Sequence, residues 1–304
     1  MADLFKAFYE WAFTPRQYGA LVSAGEYFKA LFSPGNFSKI GTLLIAIFQA
    51  LSMAVFDSPR TPMGPPLDLS GYVLVFEDEF DGDTLDLDKW EYRGTGSASS
   101  NAFYHPEQIR LEDGKLILKA EYRTDGPFGD GWYTGMMRTK DEFVRGYIEM
   151  TCICSYGAGF SSSWWLNSRW TDTAESNGGL GGSEVDIFEA FNHTRKPIKA
   201  WQDSVALAVH VHVSDDELHS GALGSFYGKN IYTEYNTYGL LWTEEYYIFY
   251  INGVEAVRSN FEKGVSAAPE FAIISLEPPG EVMAKHDVTA EFIIENVRIW
   301  QLPG

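Results

Sequence analysis

Glu184, Asp186 and Glu189 place three carboxylates within six residues of an otherwise apolar run, Gly182-Ser183-Glu184-Val185-Asp186-Ile187-Phe188-Glu189-Ala190-Phe191. Such a run reads as a strand. Side chains alternate between the faces of a strand, so Glu184 and Asp186 point one way while Val185 and Ile187 point the other. Strict alternation would send Glu189 to the opposite face. A one-residue β-bulge at Ile187-Phe188 shifts the phase and returns Glu189 to the side of Glu184 and Asp186. Three acids on one face repel and raise one another's pKa values, which is a cost to the fold. It is also what cleavage of a glycosidic bond with retention needs: an ionised nucleophile and a protonated acid about 5–5.5 Å apart. A neighbouring carboxylate keeps the acid's proton on at neutral pH. The bland alternatives fit less well. A solvated acidic edge does not interleave Val, Ile and Phe, and calcium loops prefer Asp, Asn and Gly at their ligand positions.

The elements that must position these acids are short strands. From Tyr72 onward the chain reads as strands over residues 72–76, 115–120, 146–154, 182–191, 205–213, 246–251 and 292–300. Turn signals lie between them, among them Glu112-Asp113-Gly114 and Ile251-Asn252-Gly253. This pattern indicates an all-β domain over 67–304, an antiparallel β-sandwich of the jelly-roll kind. Residues 1–66 differ in kind. Residues 2–30 read as helix with a break at Thr14-Pro15, a second apolar run covers 40–56, and Ser58-Pro59 and Pro62 to Pro66 form a linker. The run over 40–56 is 17 residues long, at the short limit for a membrane span, and is not an N-terminal signal peptide. A helical N-terminal extension packed on the main domain or on a second copy is the favoured reading over a membrane anchor. A homo-oligomer through residues 1–66 is then one expected partner.

Composition narrows the substrate. A formal net charge of −19 argues against nucleic acid and anionic membranes, which draw on Lys and Arg clusters. A neutral polysaccharide or oligosaccharide fits better. Sulfated or uronate polymers would need a local basic patch, and Arg195-Lys196 is the one such cluster downstream of the acids. Nine Trp, seventeen Tyr and twenty-one Phe exceed what a core uses, and aromatic rings cover the flat C–H faces of sugars. Cys152 and Cys154, the only cysteines, are two apart on an expected strand and read as buried thiols rather than a disulfide or metal pair.

These residues resemble glycoside hydrolase family 16, whose motif is Glu-x-Asp-x-(x)-Glu on a strand of a concave β-jelly roll. The likeness extends over about residues 72–302. Phe76-Glu77-Asp78-Glu79-Phe80-Asp81-Gly82 resembles the family's opening strand, and His105-Pro106-Glu107-Gln108-Ile109-Arg110-Leu111 its second. Gly135-Met136-Met137-Arg138-Thr139-Lys140 resembles the segment leading into the groove, and Gly159-Phe160-Ser161-Ser162-Ser163-Trp164-Trp165-Leu166 the Gly-x-Trp-Pro-Ala-Phe-Trp stretch. Tyr238-Gly239-Leu240-Leu241-Trp242-Thr243 with Tyr250-Ile251-Asn252-Gly253 is similar to the family's hairpin, and Glu295-Asn296-Val297-Arg298-Ile299 to its closing strand.

The resemblance implies roles. Glu184 would be the nucleophile, Glu189 the acid and then base, and Asp186 the residue that tunes both. Two residues between Asp186 and Glu189 is the spacing of laminarinases and marine galactanases. Trp165 aligns with a sugar-contacting Trp, with Trp164 beside it. His210 lies on the strand that carries a His near the acids in relatives, and His212 competes with it from the same face. Arg138, Asn101, Tyr104 and Glu277 are further groove candidates. Ser161 and Ser162 depart from the family's Trp and Pro, removing one aromatic wall. No cofactor is required. Many relatives hold a structural calcium on the convex side, for which Glu79 matches and Glu295 stands where Asp is usual. The expected function is an endo-acting retaining glycosidase on β-1,3 or mixed β-1,3/1,4-glucan. The rivals are a β-galactanase of the agarase or porphyranase type and a non-catalytic glucan-binding protein. A polymeric substrate implies an extracellular or cell-surface location, although no N-terminal signal peptide is seen.

Overall fold

The computed structural model describes residues 59–99, 102–156, 159–191, 203–214, 217–277 and 287–303. The helices expected in the N-terminal extension lie outside the described residues. Among those described, no helix is long and apolar enough to cross a membrane.

The described residues form eighteen strands: β1 (Val73–Asp78), β2 (Trp90–Tyr92), β3 (Gly96–Ser99), β4 (Ala102–Tyr104), β5 (Ile109–Glu112), β6 (Lys115–Arg123), β7 (Gly131–Thr134), β8 (Met136–Thr139), β9 (Gly146–Ile153), β10 (Ser161–Asn167), β11 (Glu184–Phe191), β12 (Ser204–Ser214), β13 (Glu217–Tyr227), β14 (Asn236–Trp242), β15 (Tyr247–Ile251), β16 (Val254–Ser259), β17 (Phe271–Glu277) and β18 (Ala290–Gln301). Seven of them form one sheet in the order β13-β12-β11-β10-β17-β8-β2. The other eleven form a second sheet built on β16-β15-β14-β9-β18-β6-β7-β4-β3, with β1 beside β18 and β5 beside β6. Pairing is antiparallel except between β4 and β7. This is the β-sandwich that the strand pattern implies.

Both expected turns close hairpins. Asp113 (φ 52°) and Gly114 (φ 68°) join β5 to β6, and Asn252 (φ 50°) and Gly253 (φ 73°) join β15 to β16. Two successive positive φ angles are what a two-residue hairpin matching the strand twist demands, and Asn, Asp and Gly tolerate them best.

The core lies between the sheets. Phe188 of β11 meets Tyr238 of β14 at a ring-centroid distance of 4.2 Å and Phe292 of β18 at 6.2 Å, and all three rings are fully buried. Each such pair adds about 0.5–1.5 kcal/mol beyond area burial. They fasten the middle of β11 to the opposite sheet. Cys152 and Cys154 are free and buried, as the two-residue spacing implied. Residues 59–66, read from sequence as linker, run along the domain. Arg60 exchanges backbone hydrogen bonds with Ser225 and Tyr227 at 3.0 and 2.9 Å, and Gly64 N–H donates to Glu255 O at 2.9 Å.

Candidate active site

The bulge sits where alternation requires it. Against β10, Trp164 is opposite Phe188 and Trp165 opposite Asp186, which leaves Ile187 without a partner. Against β12, Asp186 faces Ala208 and Glu189 faces Ala206, so three steps on β11 match two on its neighbour. Val185, Ile187, Phe188 and Ala190 all bury against the core. Glu184 and Glu189 remain half-buried on the other face, and Asp186 between them is 5% exposed.

His210 lies opposite Glu184 on β12. Its Nε2 is 3.0 Å from Asp186 Oδ2, and its Nδ1 is 2.8 Å from Ser220 Oγ on β13. A carboxylate only accepts, so Nε2 carries the proton and Asp186 holds the ring. That hydrogen bond also raises the His210 pKa. Burial, then the charge of Asp186, pushes Glu184 up to about 7 and Glu189 up to about 8, and the positive field of His210 opposes both shifts. Glu189 feels Glu184 and Glu277 as well. Both acids thus bind protons well above the ordinary carboxylate range, and as a coupled pair they keep a proton through neutral pH.

The groove floor crosses the strands. Glu91, Arg138, Ile273, Trp165 and Asp186 lie in register across β2, β8, β17, β10 and β11. Trp165 packs with Tyr104, Met136, Phe271 and Ile273 in an apolar cluster distinct from the inter-sheet core, and its Nε1 donates to Ser275 Oγ at 3.0 Å. Tyr104 donates to Glu277, which lies at the end of β17 opposite Ser161. Arg138 pairs with Glu91 and lies 3.9 Å above the Phe271 ring.

Three expectations change. Trp164 is fully buried in the inter-sheet core and is not a groove wall, because neighbouring strand residues face opposite ways. Glu79 accepts from Arg298 at 2.8 Å and Glu295 accepts from Lys115 at 3.2 Å, so both carboxylates assigned to calcium are paired with cations and do not fit such a site. Asn101 and the side chain of His212 lie outside the described residues. One groove residue escaped the sequence reading. Arg93 places its guanidinium 4.7 Å from the Trp165 ring centroid, within the field of Glu184, Glu277 and Asp172, and forms no ion pair among the described residues. Arg93 lies just past the end of β2, where the exposed Tyr92 breaks any apolar alternation from the buried Trp90, so periodicity does not mark it.

The two tryptophans separate binding from folding. Trp165→Ala is expected to raise KM about tenfold, equivalent to about 1.4 kcal/mol of lost sugar contact, with kcat little changed. Trp164→Ala is expected to cost about 3–5 kcal/mol of stability in a denaturant titration, because it empties a fully buried site.

The acids also set the pH dependence of stability. Glu184, Glu189 and the buried Glu270, raised to about 7, about 8 and about 8, keep protons that the unfolded chain releases near its carboxyl value of 4.5. This stability is fully present below that value and is lost as pH rises through 7 to 8. Scanning calorimetry between pH 5 and pH 9 is expected to show Tm falling by at least about 4 °C, the shift produced by about 2 kcal/mol in a domain of this size. Glu189→Gln should flatten that fall.

Comparison with known proteins follows the same lines. A family model described as "Beta-porphyranase A-D, GH16 domain" matches residues 72–275. Among curated proteins, the chain is 25% identical over 224 residues to a glucan endo-1,3-beta-glucosidase A1 of Niallia circulans, covering 66% of this chain and 31% of that one. It is 25% identical over 211 residues to a beta-glucanase of Acetivibrio thermocellus, covering 68% of this chain and 54% of that one. The chain thus spans about a third to a half of those relatives. Solved structures share the fold. A crystal structure of SCLam, titled a non-specific endo-beta-1,3(4)-glucanase from family GH16, aligns with TM-score 0.63 at 20% identity, covering 83% of this chain and 99% of that one. The catalytic domain of an endo-1,3-beta-glucanase (laminarinase) from Thermotoga petrophila aligns with TM-score 0.62 at 17% identity, covering 77% and 99%.

Proposed function

The chain belongs to glycoside hydrolase family 16, and on that premise we propose that it is an endo-acting, retaining glycosidase that cleaves β-1,3 or mixed β-1,3/1,4-glucan by double displacement. The observation that carries this reading is the shared face of Glu184, Asp186 and Glu189, produced by the bulge at Ile187. Glu184, in its ionised form, attacks the anomeric carbon while Glu189 passes its proton to the departing glycosidic oxygen. The glycosyl–enzyme ester on Glu184 is then hydrolysed by water that Glu189, now ionised, deprotonates. Asp186 raises the proton affinity of both acids, and the hydrogen bond from His210 holds its carboxyl in position between them. Trp165 offers a ring face to a sugar. Relatives named for β-1,3- and β-glucan cleavage support the glucan assignment. A polymeric substrate puts the working enzyme outside the cell or on its surface.

A second reading is favoured by one observation. Arg93, which forms no ion pair among the described residues, puts a guanidinium beside Trp165, and such a cation suits a galactan that carries anionic groups. The name of the matching family model points the same way.

Chromatography of oligosaccharides released from laminarin, mixed-linkage β-glucan, agarose and porphyran separates the two. Glucan oligomers are the expected products, and Arg93→Met should change kcat/KM on them by less than about threefold, since a neutral sugar forms no ion pair there. Release from agarose or porphyran alone, with a loss of about 100-fold in Arg93→Met on the sulfated polymer, would move the chain to the galactanase reading. Silence on all four would favour a binding protein.

A further inference from the structure

Glu270 immediately precedes β17, and its backbone is tied to Phe143 by two hydrogen bonds of 2.9 Å. Its side chain is fully buried. Oε1 accepts the backbone N–H of Ser183 at 3.0 Å, and the side chain of Ser266 also hydrogen-bonds to the carboxyl. A buried carboxyl costs free energy that an apolar side chain would not. Among its contacts is a hold on one peptide.

That peptide is the entrance to the catalytic strand. Ser183 directly precedes Glu184, and its carbonyl accepts Thr171 Oγ1 at 3.2 Å, so both its backbone groups are engaged. Before it, Gly182 (φ +146°) passes so close to Ser168 that a Cβ would lie 1.9 Å from Oγ. The pairing of β11 with β10 stops at Val185, and β12 supports Glu184 from one side only. Glu270 and Thr171 take over the missing support.

We propose that Glu270 is a positioning residue for Glu184: by anchoring the Ser183 peptide it fixes where the nucleophile's carboxylate stands, a role that rests on the reading of Glu184 above. Catalytic groups must be held within about 0.5 Å of their productive positions, and supporting residues supply that hold.

The test uses the full chain and three substitutions. Glu270→Met keeps length and burial but removes the acceptor, Glu270→Gln keeps an acceptor oxygen, and Thr171→Val removes the second anchor. On the glycan that the wild type cleaves, Glu270→Met is expected to lower kcat about 10- to 100-fold, the loss that a 1 Å misplacement brings, with KM within about twofold. Glu270→Gln should restore kcat to within about threefold of wild type, and Thr171→Val should fall in the same direction as Glu270→Met. Wild-type kcat in folded Glu270→Met overturns the proposal. So does a parallel rise in KM, or equal damage in the Gln variant. If Glu270→Met does not fold, Thr171→Val decides, and wild-type kcat there overturns it. Amide hydrogen exchange over residues 180–190 reads the anchor without any substrate. Faster exchange in Glu270→Met and wild-type exchange in Glu270→Gln are expected, and unchanged exchange in both overturns the proposal. A wild type inactive on every glycan would count against the functional reading alone, since the exchange result would still stand.

Discussion

Glu184→Gln is expected to fold, to bind its glycan and to turn it over on the order of 10⁴-fold more slowly, the scale of loss when a hydrolase loses its nucleophile. The amide keeps the size and most of the hydrogen-bonding capacity of the carboxyl, so the groove is preserved. It cannot form the glycosyl ester. Glu184 lies half-buried beside Asp186, where its own charge is costly, and removing that charge should not weaken the fold. Near-unchanged binding in isothermal titration, with turnover lost, is the expected pair of results. Activity near wild type would end the assignment of Glu184.

Glu189→Gln is expected to slow cleavage of the natural glycan about 10²- to 10⁴-fold, the usual contribution of a positioned acid–base group. Its pH profile should change as well. In the wild type, activity is expected to fall on the acid side as the coupled acids take up a second proton near pH 7 and on the alkaline side as they lose the last near pH 8. These limbs belong to the coupled set of acids rather than to either residue alone. Glutamine removes the group responsible for the alkaline limb. An aryl glycoside whose leaving group needs no proton should recover formation of the glycosyl–enzyme, so product release would show a burst followed by slow turnover. A retained alkaline limb in Glu189→Gln would assign the acid elsewhere.

Much of this was legible in the chain because strand side chains alternate. The period of two demanded a bulge at Ile187-Phe188, and the register with both neighbouring strands contains it. Asp113-Gly114 and Asn252-Gly253 were readable as hairpins because few residue pairs accept two positive φ angles. Other elements carried no such signal. β17, next to the central strand β10 of the seven-stranded sheet, buries six of its seven residues, and a continuous apolar run has no period to read. Ser161, Ser162 and Ser163 of β10 are buried but polar, so apolar patterning does not mark them. Arg93 and Arg138 come from separate strand regions, and a search for Lys and Arg clusters along the chain does not join groups that only register brings together. The cation partners of Glu79 and Glu295 likewise come from β18 and β6.

The role proposed for Glu184 requires double displacement at the anomeric carbon. Proton NMR of the reducing ends released in the first minutes of laminarin hydrolysis, before mutarotation mixes the anomers, reads this directly. The β-anomer appearing first, with α following at the rate of mutarotation, is the expected result. The α-anomer appearing first would mean single displacement and would remove Glu184 from the role of nucleophile.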